Sequence, residues 1–151
     1  RLGQAFLSIQ AVKGVAFGDA FGDATLRGSQ VHDQYDAGFR RTGNRAGGLE
    51  GGMTNGMPLV ARLAVKPIST LRKPLVGASW PEATPTEAHF ERADTCAVPA
   101  AGVVAEAMMA LVLADALLEK LGGDSLAEVR AHLEATRALW PQPLQPETHA
   151  P

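Results

Sequence analysis

Three short stretches of this chain hold residue types whose spacing could do chemistry. In Lys66-Pro67-Ile68-Ser69-Thr70, one cation stands beside two hydroxyls. A phosphate dianion wants a positive charge and several donors, and Lys66, Ser69, Thr70 and the neighbouring backbone N–H groups could supply them. The same order of residues also makes an ordinary turn at the end of a strand, so both uses stay open. Arg92 and Asp94 lie two apart in an expected strand, Ala88 to Asp94, which puts them on one side of it. Taken alone, such a pair reads as a surface salt bridge. The third stretch, Asn44 to Gly56, carries five glycines. Glycine serves sharp turns and close backbone approach to a ligand alike. It is neither a dinucleotide fingerprint, lacking Gly-x-Gly, nor a phosphate-binding loop, since Met53 follows Gly52 where Lys is needed.

The other candidate groups read as bland. His32, His89, His132 and His149 are the only histidines. His132 falls on the expected polar face of the last helix and His149 in the tail, and none is assigned a catalytic role. The single cysteine, Cys96, opens an apolar helix and is expected to be a small buried hydrophobe. One cysteine excludes an internal disulfide and a cysteine-rich metal motif, and fits a reducing compartment.

The elements that must position these groups follow from periodicity. Leu2 to Ile9 reads as the end of a helix already under way, the first sign of a piece of a longer protein. Gln10 to Phe17 is expected as a strand. Gly18 to Asn55 is Gly-rich and polar, a loop too long for a compact domain unless it is functional, with short strands expected at Ala24 to Arg27 and Gln30 to His32. Met57 to Lys66 alternates as a half-buried strand, and Ala78 to Thr86 reads as a surface loop. A helix opens near Pro99, with a stripe of Val103, Ala107, Ala110, Leu111, Ala114, Leu117, Leu118 and Leu121, and ends at Gly122-Gly123. Ser125-x-x-Glu128 is a capping box for a last helix carrying Leu126, Val129, Leu133 and Trp140 on one face, stopped by Pro141. The Pro-rich tail, residues 141–151, is expected to be disordered.

With 151 residues, 46% hydrophobic and 20% charged, the chain suits one globular domain. A net charge of −2 offers no footprint for nucleic acid. The apolar run from Cys96 to Leu118 nears a membrane span in length. Glu106 and Asp115 interrupt it, however, so a buried central helix is expected and no membrane partner. No secretory signal pattern opens the chain.

Four ordered blocks carry a family resemblance: LSIQAVKGVAFGDAF, LRGSQVHD, NRAGGLEGGMTNG running on through MPLVARLAV to KPIST, and Arg92 to Leu126. Together they resemble the C-terminal part of bacterial chorismate synthases over about Gln4 to Leu139. The resemblance implies an α+β fold: part of a β-α-β sandwich in which antiparallel strands pack on long buried helices. Residues 1–140 would be the C-terminal portion of that domain. It implies a homotetramer, cytoplasmic, in the shikimate pathway of aromatic amino acid biosynthesis. The implied reaction is the anti-1,4 elimination of phosphate from 5-enolpyruvylshikimate 3-phosphate, with reduced FMN required and no net redox change. Whether reduced flavin would come from an intrinsic NADP-linked reductase activity or a separate enzyme is left open.

Residue by residue, Gln10, Ala11 and Gly51 match flavin-contacting positions. Lys66, Pro67, Ile68, Ser69 and Thr70 match the segment that holds the flavin phosphate. Arg92 matches an arginine beside flavin and substrate, and Asp94 the carboxylate that works at the flavin N5. For that work Asp94 needs a raised pKa, which a tight pair with Arg92 would oppose, so Arg92 is expected to engage ligand instead. The family's two catalytic histidines belong to its other half, and the chain alone is expected to be inactive. Two departures stand out: Ala16 where the family commonly has Glu, and Ala93 between Arg92 and Asp94. The first is expected to loosen a local contact; the second side chain would face away from its neighbours. A non-catalytic oligomerisation domain derived from this family is the competing reading.

Overall fold

The computed structural model describes residues 1–92 and 95–140. In chain order the elements are α1 (Leu2–Leu7), β1 (Val12–Phe17), α2 (Ala20–Asp23), α3 (Gly28–Val31), β2 (Leu49–Glu50), β3 (Met53–Thr54), β4 (Ala61–Val65), β5 (Val76–Ala78), β6 (Pro85–Glu87), α4 (Val98–Leu121) and α5 (Leu126–Ala138). This is an α+β chain with, among the described residues, three separate two-stranded antiparallel sheets, β1-β4, β2-β3 and β5-β6.

The centre is the β1–β4 ladder with α1 folded against it. Val12 stands opposite Val65 and Phe17 opposite Ala61, with a shift of register between Val12 and Gly14. Phe6 of α1 is almost fully buried, and its ring lies 6.2 Å from that of Phe17. Leu2, Val12, Ala16 and Leu121 complete a small core. Aromatic burial of this kind dominates the energy of so small a nucleus.

Several expectations are corrected. Ala24 to Arg27 and Gln30 to His32 are not strands: α2 and α3 are single helical turns there, and the Gln30 side chain accepts the Arg27 N–H at 3.2 Å. The strand expected from Met57 begins only at Ala61. Before that, the Pro58 carbonyl accepts from the Asn44 amide, and Val60 exchanges bonds with Gly18 and Gly47, so these groups serve the loop rather than the ladder. The loop expected from Ala78 to Thr86 is the turn of the β5–β6 hairpin, overlapping its arms only at Ala78, Pro85 and Thr86, and Ala88 to Arg92 is not strand. Pro141 and the tail lie outside the described residues.

The helix expected to be buried is largely exposed. α4 is long and apolar enough to cross a bilayer by length and composition, with a mean hydropathy of 1.9 over its most apolar window. It packs on α1, where Arg1 pairs with Asp115 and Glu119. Its half-covered face is Ala101, Ala105, Met108, Met109, Val112, Leu113 and Ala116. Of the expected stripe only Leu121 is buried, while Val103, Leu111 and Leu118 are more than half exposed. The stripe was ambiguous because this helix is apolar all round, a pattern that belongs to a helix covered on every side. Gly122, at φ 63°, ends it.

α5 begins as expected. Ser125 Oγ accepts the Glu128 N–H at 3.3 Å, although the Glu128 carboxylate takes the Asp124 N–H at 2.6 Å rather than that of Ser125. His132 faces α4 instead of solvent alone: its Nδ1 lies 2.8 Å from the Leu121 carbonyl oxygen. Cys96 is exposed, not buried.

Candidate functional site

The antiparallel pairing of β1 and β4 brings two of the expected site segments to one end of a single ladder. The Lys66 N–H donates to the Ala11 carbonyl at 2.8 Å, just beyond the Val12–Val65 pair. Ala11 holds φ at 66°, a left-handed conformation that is uncommon for a residue with a Cβ. Strained backbone and an irregular strand are both features that collect at functional sites. Here they fall together, since the register shift follows directly after Ala11.

A second contact extends this end of the molecule. Thr70 Oγ1 donates to the Glu91 carbonyl at 3.0 Å, tying the 66–70 segment to the neighbour of Arg92. Lys66, Pro67, Ser69, Arg92 and Gln10 are exposed, while Ile68 and Thr70 are partly covered. Among the described residues neither Lys66 nor Arg92 makes an ion pair. Lys66 and the Ser69 hydroxyl are thus an exposed cation and an exposed donor three residues apart at this end of the ladder. Asp94 lies outside the described residues, so its relation to Arg92 is not part of the geometry.

Gly51 sits elsewhere. It occupies the β2–β3 turn with Gly52, at φ 56° and 77°. The base of this segment is anchored to the far end of the ladder, where Gly47 N and Gly18 N close on Asn44 and Val60 carbonyls. A Cβ on Gly51 or Gly52 would meet nothing within 4 Å, so the outer side of the turn is open. Glycine is needed there for its conformation, as a turn with two positive φ values requires.

The polar residues that build the loop under Gly51 were missed from the sequence. Asp33 accepts the backbone N–H groups of Arg45 and Ala46, each at 3.0 Å. Burial pushes its carboxyl up, but those two donors and the guanidinium groups of Arg41 and Arg45 outweigh it and hold it below the usual range. Arg41, with its side chain 8% exposed, pairs with Glu50 and lies 4.4 Å above the Tyr35 ring. Arg45 pairs with Asp23 and Asp19, and Arg62 donates to the Gly18 carbonyl. The available signal was the number of Asp, Arg and Asn residues spread through a Gly-rich loop. Two clefts lie elsewhere: one of about 510 Å³ between α1 and α4, lined by Gln4, Ser8 and Leu111, and one of about 280 Å³ beside Ala16, Phe21 and Arg62.

The class is thus an α+β chain with an irregular, cation-bearing end to its central ladder. The family model described as chorismate synthase matches residues 1–118. Chorismate synthase of Desulforudis audaxviator (strain MP104C) is 54% identical over 146 residues, covering 91% of this chain and 37% of its own length. That of Thermobifida fusca (strain YX) is 56% identical over 136 residues, covering 88% and 35%. A crystal structure of chorismate synthase superposes with a TM-score of 0.68 at 47% identity, over 89% of this chain and 34% of that one. The chain belongs to the chorismate synthase family. It spans about a third of the length of the curated relatives it matches.

Proposed function

We propose that this chain forms one wall of the flavin and substrate site of a chorismate synthase, a lyase that removes phosphate from 5-enolpyruvylshikimate 3-phosphate. The observation that supports it most is the bond between Lys66 and Ala11, which joins two segments the resemblance assigns to one cofactor. Reduced FMN, when bound, supplies the electron density on which loss of phosphate depends and is returned unchanged. Lys66 and Ser69 would hold its phosphate, Thr70, whose hydroxyl already donates to the Glu91 carbonyl, would add its backbone N–H, Gln10, Ala11, Pro67 and Ile68 would shape the bed beside it, and Gly51 would approach it by its backbone. Arg92 would hold an anionic group of flavin or substrate. Asp94 would accept the proton released as the C–H bond is broken, its carboxylate becoming a carboxylic acid.

The remaining partner is the polypeptide that corresponds to the N-terminal part of the family, which supplies the catalytic histidines and most substrate-phosphate arginines. The apolar face of α4 supports such a protein partner over a lipid one, because Glu106 and Asp115 lie within its span. The assembly would be a cytoplasmic homotetramer, and the chain alone would be inactive.

The test is anaerobic chorismate formation with reduced FMN, using the chain co-expressed with the N-terminal part of a curated relative. Activity that falls at least about a hundredfold in Asp94→Asn, the order expected for a lost proton-transfer group, supports the reading. A complex that forms but has no activity and binds no reduced FMN favours a non-catalytic oligomerisation domain. Chorismate formed by the chain alone would overturn the expected inactivity.

A further inference from the structure

The β2–β3 hairpin that carries Gly51 has two residues in each strand. Hairpins this short do not hold themselves together in water. Nor does packing hold this one: Glu50, Met53 and Thr54 are exposed, Met53 by 72%. What fixes it is polar. Glu50 Oε1 accepts from Arg41 Nη1 at 3.0 Å, and Oε2 accepts from Arg41 Nη2 and from Asn55 Nδ2. Arg41 is fixed in turn by the Tyr35 ring beneath it, by the Tyr35 hydroxyl at 2.5 Å, and by a bridge between the two backbones.

Burying a guanidinium is costly, and here the Arg41 Nε is buried without a hydrogen-bond partner. A surface hairpin of no consequence does not need such an anchor. The side of the turn away from the anchor is open, with room beside both Gly51 and Gly52. A backbone held rigidly from beneath and left bare above is suited to receive a flat ligand by close approach, without side chains in between.

We infer that Arg41, stacked on Tyr35 and paired with Glu50, is the positioning device that sets the Gly51–Gly52 backbone for the flavin. The inference rests on the reading of Gly51 as part of a flavin wall. Arg41 touches no ligand; it acts through Glu50. A lysine cannot replace it, because one ammonium cannot form the two parallel bonds to Glu50 or stack its plane on Tyr35.

The experiment measures Kd for reduced FMN, and kcat at saturating FMN, in the complex of the chain with the N-terminal part of a relative. Arg41→Lys and Glu50→Gln should each weaken FMN binding about ten- to hundredfold, the order of one lost charge-assisted contact, while kcat at saturation changes less than about threefold. Tyr35→Phe, which keeps the ring, should weaken binding less than about threefold and so act as the conservative rescue. Should Arg41→Lys fail to assemble, Glu50→Gln, which keeps the side-chain shape, decides. Unchanged Kd in the variants while the unaltered complex binds FMN would overturn the positioning role and leave the flavin wall standing. A fall in kcat as large as the rise in Kd would also overturn it, pointing to general damage. If the unaltered complex binds no reduced FMN, the flavin reading fails and the inference fails with it.

Discussion

Between Asp33 and Val60 the chain has almost no regular structure, yet its bends are held by specific polar partners. Asn44 bridges Gly48 and Pro58, Asp33 caps Arg45 and Ala46, and Arg41 clamps Glu50. Val98 to Ala138 is the reverse. It is almost wholly helical, rich in Leu, Val and Ala, and has little to pack against. The β5–β6 hairpin resembles the helices in this respect, with Val76 84% and Trp80 93% exposed. The loop closes its own hydrogen bonds locally, while the helices carry an apolar surface far beyond what this chain can cover. The difference separates a region closed by its own polar partners from one whose apolar surface is left uncovered in this chain.

The sharpest way to break the self-sufficient region is at its glycines. A Cβ on Gly47 would stand 2.1 Å from Gly18 N, and one on Gly18 would stand 1.8 Å from the Arg45 carbonyl oxygen. Both also hold positive φ. Gly47→Ala should therefore cost about 3 kcal/mol or more, combining overpacking with a left-handed conformation. Gly51→Ala meets open space and should cost only the conformational part, about 1–2 kcal/mol. Chemical denaturation of the two variants, in the chain and in its complex, measures this. Equal costs would mean that close backbone approach at Gly18 and Gly47 is not what closes the loop.

The helical region should respond in the opposite sense. Val103 and Leu118 are 68% and 54% exposed. Val103→Glu and Leu118→Lys replace exposed side chains, so the isolated chain should change by less than about 0.5 kcal/mol. Association with the N-terminal part should weaken at least about tenfold for each, since a buried site would receive an uncompensated charge. Titration calorimetry on the paired proteins would decide. Unchanged association would show that this face of α4 is not the covered one.

The same contrast explains how much of the molecule was legible in advance. Period-two alternation revealed β4 and the apolar run revealed α4, because these patterns record burial. The stripe expected on α4 is mostly exposed in this chain, and a helix apolar on every face has no periodicity that distinguishes one side from another. The two prolines between Ala78 and Thr86 marked the turn of the β5–β6 hairpin, while its three-residue arms, exposed throughout, carry no alternation that would reveal them. The resemblance singles out Gln10–Ala11 and Lys66–Thr70 as candidate site segments, and the ladder brings Ala11 to Lys66. Arg41, Tyr35 and Glu50 were not found, because a stacked and paired arginine is defined by three positions whose spacing has no fixed rule.

The gentlest probe of the comparison is pH. Asp33 is the acid that ties the loop to the backbone of Arg45 and Ala46, and its folded pKa lies below the ordinary carboxyl value of 3.8. A depressed folded pKa contributes stability that is fully present above the unfolded value and is lost as pH falls through the folded one. Protection of the Arg45 and Ala46 amides against hydrogen exchange should therefore be unaffected by Asp33 from pH 8 to about 5, and should fall only below about pH 4. Asp33→Asn should lower that protection at neutral pH by about 1 kcal/mol and remove the acid-dependent fall, since the amide cannot titrate. The α1–α4 contact has its own acid-sensitive group in Glu119, which the hydrogen bond and charge of Arg1 hold below the usual range, and Asp33→Asn should leave any acid-dependent change there unaltered. Protection lost already near pH 6 would assign the loop's closure to some group other than this carboxylate.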